Sequence, residues 1–489
     1  MSGNKTGSIK ANYFYNTAFQ VLLLIIPIIT TPYVSRVLGV DNIGVYSYGS
    51  AMVAYFVVIA TFGSTTFGQR EIAFHREDKS KMSQAFWDIF SFRLLTTFVA
   101  LIAYCAYLRI AGRNGILDIM FAINIINVAA DVTWFFQGLE NFKQIVIRNF
   151  VIKAISTICI FVFVKNAYQL WRYIAIVFGS TLLGNVSLWT LLFHKISRPH
   201  RVNPFSGIKG MGLIFLPTIA TQVYVILDKS MIGWITGSTY ANGCYEQSEK
   251  IARMALAVVT SVGAVILPRV ANLYHSNQIE RAKEYIYTSY RFVWMLGLPI
   301  MVGLVTTASV LIPVFLGQGY DDSVLLLQIF SLLVIFVSLS YVTGLSYLIP
   351  TEQQNIFTVA VSCAAGLNFI LNLILIRRYS AYGAAIASVS AELLGWLIQI
   401  GYCCKARQLH FSRTVQSLWR YVISSIFMGI MVCEIKKHLG VNFNALLILV
   451  ISGALAYGVM VLILRDDYAM SNLTKFKNAI TNKVEGNDR

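Results

Sequence analysis

The run from Phe292 to Leu316, FVWMLGLPIMVGLVTTASVLIPVFL, contains 25 residues and no charged side chain. An α-helix rises 1.5 Å per residue, so about 20 apolar residues cross the roughly 30 Å of hydrocarbon in a bilayer. Lipid offers no hydrogen-bond partner to an unpaired backbone group, and the run lacks the alternation of a barrel strand. This stretch therefore predicts a membrane-spanning helix.

Similar runs recur along the whole chain and predict about fourteen spans in all. The other thirteen are Tyr15–Tyr33, Val45–Phe67, Leu94–Leu108, Ile116–Phe136, Ile145–Val164, Tyr173–Phe193, Met211–Ile235, Ser248–Val270, Val324–Ile349, Asn355–Ile376, Tyr382–Cys403, Leu418–Glu434 and Ala445–Leu464. Twelve spans is the alternative, if two weak runs lie flat in the interface. The predicted fold class is an all-α integral membrane protein, and we expect the first run to be a retained helix rather than a cleaved signal peptide.

The charge distribution fits a membrane protein better than a nucleic-acid-binding protein. Of the 489 residues, 57% are hydrophobic and 12% charged, against about 25% charged in soluble domains. The net charge is +17. About 26 of the 39 Lys and Arg fall on one side of the predicted spans, most densely in the loops Arg70–Lys81, Lys195–Lys209, Arg269–Arg291 and Lys405–Arg420. The positive-inside rule places those loops and both termini in the cytoplasm.

Short sequence matches indicate that the chain is duplicated. Gly44-Val45-Tyr46 corresponds to Gly243-Cys244-Tyr245, and Ser91-Phe92-Arg93 corresponds to Ser289-Tyr290-Arg291. The offset of about 199 residues covers six spans, an even number, so both copies have the same orientation. Parallel repeats of this kind place a substrate site between two halves that rock to give alternating access.

The duplication predicts three regions. Residues 1–200 form an N-lobe of six helices, and residues 201–410 form a C-lobe of six. Residues 411–489 hold two further helices and a cytoplasmic tail. In that tail, Leu473–Lys483 has the pattern of an amphipathic helix on the inner leaflet.

Charges within spans are costly, about 2.5–3.5 kcal/mol or more each, so they mark candidate sites. The seventh and eighth spans concentrate them at Asp228, Lys229, Glu246, Glu249, Lys250 and Arg253. The four charges of the eighth span share one helical face. We expect a charged cluster in which Asp228 pairs with Arg253, leaving Lys229 and Lys250 for an anionic substrate. A salt-bridge network that only locks the two helices is the alternative interpretation.

Three more charged residues lie in other spans. Lys153 either faces the same cavity or extends its amine to the inner surface. Asp131 and Glu392 are either carboxylates coupled to H⁺ or Na⁺ or hydrogen-bonded structural groups. The predicted substrate-binding residues are thus Lys153, Lys229, Lys250 and Arg253. The predicted residues for ion coupling or salt bridges are Asp131, Asp228, Glu249 and Glu392.

The sequence shows no catalytic or cofactor motif. It has no P-loop, so ATP is not the direct energy source. The seven cysteines lack metal-ligand spacing. We therefore expect a transporter rather than an enzyme, with no cofactor and no metal.

Several motifs together resemble those of the polysaccharide transporter family. They are Thr31–Gly39 followed by Ile43–Tyr46, Trp134–Glu140, Leu227–Lys229, Tyr245–Ile251, and Gly383–Ala385 with Glu392. The resemblance covers most of the chain in matching order. It implies the multidrug/oligosaccharidyl-lipid/polysaccharide exporter fold, in which two six-helix lobes form a V and two helices are appended.

The resemblance also implies a function. The substrate would be an undecaprenyl-diphosphate-linked oligosaccharide repeat unit of O-antigen, capsule or exopolysaccharide. The chain would flip it across the bacterial cytoplasmic membrane, with ion-gradient coupling and with other polysaccharide assembly proteins as partners. A peptidoglycan-precursor flippase and a drug or cation antiporter are alternatives on the same fold. A membrane glycan polymerase or ligase is an alternative from another class.

Overall fold

The computed structural model describes residues 9–113, 115–199, 201–261, 263–466 and 470. Across these residues the regular secondary structure is helical. The predicted all-helical fold is therefore confirmed. The predicted amphipathic helix at Leu473–Lys483 lies outside the described residues.

The helices of the first half of the chain are α1 (Ile9–Thr61), α2 (Ser64–His75), α3 (Lys79–Ile110), α4 (Ile116–Ala130), α5 (Thr133–Gly138), α6 (Phe142–Phe163), α7 (Leu170–Phe193), α8 (Ile208–Thr236) and α9 (Thr239–Thr260). The second half continues with α10 (Gly263–His275), α11 (Ile279–Leu316), α12 (Asp322–Phe330), α13 (Leu333–Ser340), a π-helical segment (Tyr341–Leu348), α14 (Gln354–Lys405), α15 (Phe411–Thr414), α16 (Leu418–Lys437) and α17 (Phe443–Ile463).

The predicted spans lie on these helices. Within the described residues, ten helical segments are long and apolar enough to cross a membrane. Two of them, in α1 and α14, hold more than one crossing each. The 53 residues of α1 and the 52 of α14 correspond to about 80 Å of helix, over twice the hydrocarbon thickness. Each contains a break in the helical backbone, at Gly39 (φ 78°) and Ser380 (φ 51°). The chain is a multi-pass membrane protein.

The helix bounds repeat with the offset seen in the sequence. Helices α2 and α10 end at His75 and His275, and α4 and α12 end at Ala130 and Phe330. The next helix begins three residues later in both copies, at Thr133 and Leu333. These bounds support the predicted duplication, since the same interruptions recur about 200 residues apart.

Residue contacts divide the chain into two compact units, unit 1 (Met1–Glu246) and unit 2 (Gln247–Arg489). Unit 1 therefore includes α8 and the first turns of α9. The arrangement of six-helix lobes with boundaries at residues 200 and 410 stays a prediction.

Each unit has its own apolar core. In unit 1, α1 packs against α3, α4, α6 and α8. A second cluster in unit 1 is aromatic, with Phe86, Trp134, Phe135 and Phe136 fully buried. In unit 2, α11 packs against α13, α16 and α17. Helix α8 and the first turns of α9 lie in unit 1 with α1. Part of the charged residues of the candidate site lies on these segments.

Candidate functional site

An ion pair joins α8 to α9 within unit 1. The Lys229 ammonium lies 2.6 Å from a carboxylate oxygen of Glu246, and the two side chains are only 23% and 20% exposed. The Ser47 hydroxyl of α1 donates to the same oxygen at 3.0 Å. Because water is largely excluded, this pair interacts more strongly than one at an aqueous surface. The side chains of Lys229, Glu246 and Ser47 thus join α8, α9 and α1 at one place.

The neighbouring residue Asp228 has a different partner. Its side chain is buried, and its carboxylate accepts a hydrogen bond of 2.6 Å from the Tyr245 hydroxyl. The Asn242 amide donates to the backbone carbonyl of Lys229 at 2.9 Å. A buried carboxylate is tolerated only when donors satisfy it. The α8–α9 hairpin thus satisfies its own polar groups across its turn.

These contacts correct part of the predicted arrangement. Lys229 is not left free for an anion, because Glu246 occupies it. Glu246 was grouped with the charges of the eighth span but was not named as a site residue. The signal in the sequence was its place 17 residues after Lys229, across a short turn, which permits side chains of antiparallel helices to meet at equal depth.

The remaining charges of α9 belong to unit 2. Arg253 contacts one carboxylate oxygen of Glu249 through both Nε (2.7 Å) and Nη2 (2.6 Å). Glu249 is buried, whereas the Arg253 side chain is 51% exposed. Lys250 is half-buried on the same helix. The contacts within each unit therefore give two ion pairs, Lys229 with Glu246 and Arg253 with Glu249. A single cluster of α8 and α9 charges stays a prediction.

Asp131 lies at the break between α4 and α5. The Arg93 guanidinium, 3% exposed, lies 3.3 Å from its Oδ2, and the backbone N–H and hydroxyl of Thr133 both donate to its Oδ1. Arg93 also donates from Nε to the carbonyl of Val128 at 2.7 Å. Both oxygens of Asp131 therefore have donors. The contacts favour the structural interpretation of this carboxylate, and Arg93 is a partner that the sequence analysis did not identify.

The other carbonyls at the end of α4 are satisfied in the same way. The Trp189 indole donates to Ala130 O at 2.9 Å, and the Asn185 amide donates to Asn127 O at 3.3 Å. Arg148 of α6 in turn donates to Asn185 Oδ1 at 3.0 Å. A helix end leaves carbonyls without partners, which lipid cannot supply. The polar side chains of α3, α6 and α7 allow α4 to end within the membrane.

Lys153 lies on α6, on the side of the helix opposite a row of exposed apolar side chains. The exposed side chains Ile147, Val151, Ile155, Ile158 and Val162 follow helical spacing and form one face. Lys153 instead shares a face with buried residues seven positions away on each side, Val146 and Ile160, yet it is itself exposed. Lys153 is therefore the exposed residue between two buried ones on that face. This geometry agrees with a cavity-facing Lys153, which stays a prediction.

Glu392 lies half-buried on α14 in unit 2. One turn earlier, the Ser388 hydroxyl donates to Ala384 O at 3.1 Å, and Asn372 donates to Asn368 Oδ1 at 3.1 Å on the same long helix. Among the described residues, no group of three or more His, Cys, Asp or Glu side chains is placed to hold a metal ion.

Unit 2 contains a large apolar cavity. Its volume is about 420 Å³, and its walls come from α11, α16 and α17. The lining is almost entirely aliphatic, with Thr307 and Tyr457 as its polar side chains. A second cavity of about 320 Å³ lies in unit 1 and has the polar side chains of Glu71, His75 and Lys81 in its walls.

Two family models match long parts of the chain. The model described as "Polysaccharide biosynthesis protein" matches residues 9–274, just over half of the chain. The model described as "Lipid II flippase MurJ" matches residues 148–452. Together they cover nearly all the described helices.

The chain is also similar to individual proteins and to solved structures. A protein of Escherichia coli K12 named "Putative O-antigen transporter" is 24% identical over 81% of this chain and 96% of its own. A "Probable low-salt glycan biosynthesis flippase" of Haloferax volcanii is 24% identical over 54% of each chain. An inward closed structure of the lipid II flippase MurJ gives a TM-score of 0.73 at 14% identity, covering 92% of this chain and 98% of that one. An inward-facing multidrug transporter of the MATE family gives 0.57 at 12% identity, covering 79% and 98%.

Proposed function

The chain belongs to the polysaccharide biosynthesis protein family, and we propose that it flips a polyprenyl-diphosphate-linked oligosaccharide from the inner to the outer leaflet by alternating access. The observation that carries this proposal is the family match over residues 9–274, extended through residue 452 by the lipid II flippase model. Both descriptions concern cell-surface glycans or their lipid-linked precursors. The relatives are named as transporters or flippases, which supports transport rather than catalysis.

The apolar cavity of unit 2 supports a lipid carrier with a long isoprenoid chain. Each methylene group moved out of water contributes about 0.8 kcal/mol, so a cavity of aliphatic side chains holds such a tail without specific polar contacts. We propose undecaprenol as the carrier. The cavity of about 420 Å³ has room for part of one such chain.

Cationic side chains support recognition of the diphosphate. Arg253 is half-exposed beside its partner Glu249, and Lys250 is half-buried. Lys153 is exposed on the side of α6 opposite its row of exposed apolar residues. We propose that these three residues attract the diphosphate. Lys229 joins them only when its ion pair with Glu246 opens, because that pair neutralises its charge in the described conformation.

Coupling to an H⁺ or Na⁺ gradient is a further part of the proposal. Each of three carboxylates has a donor. Asp131 is paired with Arg93, Asp228 accepts a hydrogen bond from Tyr245, and Glu249 is paired with Arg253. Protonation of such a carboxylate would weaken its hold on that donor, and this couples ion binding to helix movement. Glu392 is the fourth candidate. Flipping rates measured with an imposed proton or sodium gradient identify the ion, and the Asn or Gln variants identify the carboxylate.

We propose that the protein lies in the bacterial cytoplasmic membrane with both termini in the cytoplasm and acts with other polysaccharide assembly proteins. The basic loops support this orientation. Cysteine accessibility at loop positions, compared in intact cells and inverted vesicles, tests it.

The decisive experiment combines genetics with a purified system. Disrupting the gene should leave the lipid-linked repeat unit on the cytoplasmic leaflet, and normal surface polysaccharide in the mutant would contradict the proposal. Purified protein in liposomes should move a fluorescent lipid-linked oligosaccharide between leaflets without changing its mass. A change in glycan mass would favour the polymerase or ligase alternative.

One alternative on the same fold has its own support. The lipid II flippase model matches residues 148–452, so the peptidoglycan precursor is a second candidate substrate. Expression in a strain depleted of its peptidoglycan flippase tests it, since growth would be restored. Drug or cation antiport predicts efflux of a cationic dye, which we expect the purified protein not to catalyse.

A further inference from the structure

Two glycines occupy equivalent places in the duplicated sequence. In unit 1 each packs against the backbone of the residue that lies four positions before the other. Gly44 belongs to α1 and Gly243 to α9, and the two are 199 residues apart. A Cβ atom on Gly44 would overlap the carbonyl of Thr239, whose carbon lies 2.6 Å from that position. A Cβ on Gly243 would likewise overlap the carbonyl of Val40, whose carbon lies 3.0 Å away. Side chains are therefore excluded at both positions.

The contact is reciprocal. Val40 and Thr239 are also 199 residues apart, so each glycine meets the residue that corresponds to the one met by its counterpart. We call the four residues Val40, Gly44, Thr239 and Gly243 the glycine contact. It brings the backbones of the two copies together with no side chain between them, an approach that only glycine permits.

Polar interactions surround the glycine contact on both sides. The Thr239 hydroxyl donates to Asp41 Oδ1 at 2.7 Å. Lys229, Glu246 and Ser47 form the ion pair and hydrogen bond described above, and the hydroxyls of Tyr55 and Ser230 lie 2.7 Å apart. Three hydrogen bonds, Thr239–Asp41, Ser47–Glu246 and Tyr55–Ser230, join α1 to α8 or α9. The Lys229–Glu246 ion pair lies within the α8–α9 hairpin and positions the Glu246 carboxylate that Ser47 contacts. Moving the two copies apart would require breaking the three hydrogen bonds.

The positive-inside pattern places this contact near the outer surface, because it follows the first span of each copy. We propose that the glycine contact closes the outer end of the translocation path and that the Lys229–Glu246–Ser47 group holds it shut. The inference rests on the proposed function, since a closed outer end has meaning only for a path with alternating access. Opening to the outside then exchanges the hydrogen bond between Ser47 and Glu246 for contacts with water or substrate.

Cys244, fully buried beside Gly243, is a built-in reporter. Its modification by a membrane-impermeant maleimide, followed by mass spectrometry of the Cys244 peptide in right-side-out vesicles, measures opening without substrate. We expect slow labelling of the wild type and labelling about tenfold faster or more in Gly44→Ala and Gly243→Ala, because a methyl group cannot fit the closed contact. The matched control is Gly212→Ala on α8, where a Cβ meets no atom within 4 Å and labelling should stay at the wild-type rate.

A second set of variants keeps the test decisive if a glycine variant fails to fold. Lys229→Glu and Glu246→Lys should each accelerate labelling of Cys244, and the double exchange should restore protection because it rebuilds the pair. Wild-type labelling rates in the folded glycine variants, or equal acceleration in Gly212→Ala, would overturn the inference. So would a double exchange that labels as fast as the single variants. Flipping is measured separately, so a chain that opens as expected but moves no lipid-linked glycan would refute the proposed function alone.

Discussion

Arg93 and Asp131 form an ion pair of 3.3 Å at the point where α4 ends inside its membrane span. Asp131 is the first residue after α4, and Arg93 reaches it from α3 while also donating to the carbonyl of Val128. One guanidinium therefore contacts both the Asp131 carboxylate and the carbonyl of Val128, which otherwise receives only a long hydrogen bond of 3.4 Å from the Asp131 N–H. The pair holds a broken helix in place.

Replacing Arg93 by Ala should destabilise the protein strongly. The change removes the charged partner of Asp131 Oδ2 and the short hydrogen bond to Val128 O, and breaking a buried pair from one side costs about 3–5 kcal/mol. The measurement is the thermal unfolding midpoint in detergent. Arg109→Ala on the exposed end of the same helix is the matched control, with an expected change within about 0.5 kcal/mol. A similar loss in both variants would contradict the role given to Arg93.

Reversing the charge of Lys250 should slow flipping of a diphosphate-linked substrate. A carboxylate there repels the diphosphate, and removal of one favourable charge contact at an interface typically costs tenfold or more in apparent affinity, about 1.4 kcal/mol or more. The assay is leaflet exchange in liposomes for Lys250→Glu and for Lys165→Glu. Lys165 lies in the exposed segment after α6, so its reversal should leave the rate unchanged. Equal rates in the two variants would remove Lys250 from the site.

Filling the apolar cavity of unit 2 should weaken binding of long-chain substrates selectively. A Cβ on Gly303, which lines the cavity, would meet no atom within 4 Å, so the side chain of Gly303→Leu starts in open space and adds volume to the cavity wall. The added side chain displaces several methylene groups of the carrier at about 0.8 kcal/mol each. We expect the apparent KM for an undecaprenyl substrate to rise about tenfold or more, with little change for a carrier of two isoprene units.

The control for that experiment is Gly366→Leu, a glycine of α14 with equally open surroundings and no place in the cavity wall. It should affect neither substrate. A rise in KM for both chain lengths in Gly303→Leu would show that the added side chain acts on something other than the isoprenoid tail.

Asp78 makes the stability of the α3 start dependent on pH. Its carboxylate accepts hydrogen bonds from the backbone N–H groups of Ser80 (3.0 Å) and Lys81 (3.1 Å), and these bonds lower the pKa of Asp78. Because the pKa is lower in the folded state, the contribution is present above the unfolded pKa of about 3.9 and is lost as pH falls through the folded value.

The unfolding midpoint of Asp78→Ala should therefore be below that of the wild type at pH 7, and the difference should shrink towards pH 3. A difference that stays constant with pH would contradict the capping role. The second copy offers a comparison, since Gln278 precedes α11 at the equivalent place and makes no side-chain cap.

Much of the fold follows from the sequence because hydropathy and helix length are local properties. A run such as Phe292–Leu316 has one stable outcome in lipid, and the duplicated signals at Gly44 and Gly243 repeat because the helix order repeats. The break at Ser380 falls between the predicted spans Asn355–Ile376 and Tyr382–Cys403, whereas the break after α4 is not predicted by the sequence. The hydrophobic run Ile116–Phe136 continues through the break after α4, and the donors that make that break tolerable come from three other helices.

In the candidate site, too, the sequence predicts local features and the tertiary structure decides the contacts. That the charges of Asp228, Lys229 and α9 need partners was evident from their positions in apolar runs, since an isolated charge in lipid is costly. Which partner each one takes was not, and the expected free Lys229 is paired with Glu246. By itself the sequence determined that the spans are helical and which residues need compensation. Only the tertiary structure decided the pairing, because an ion pair forms between whichever groups the packing of distant helices brings within about 3 Å.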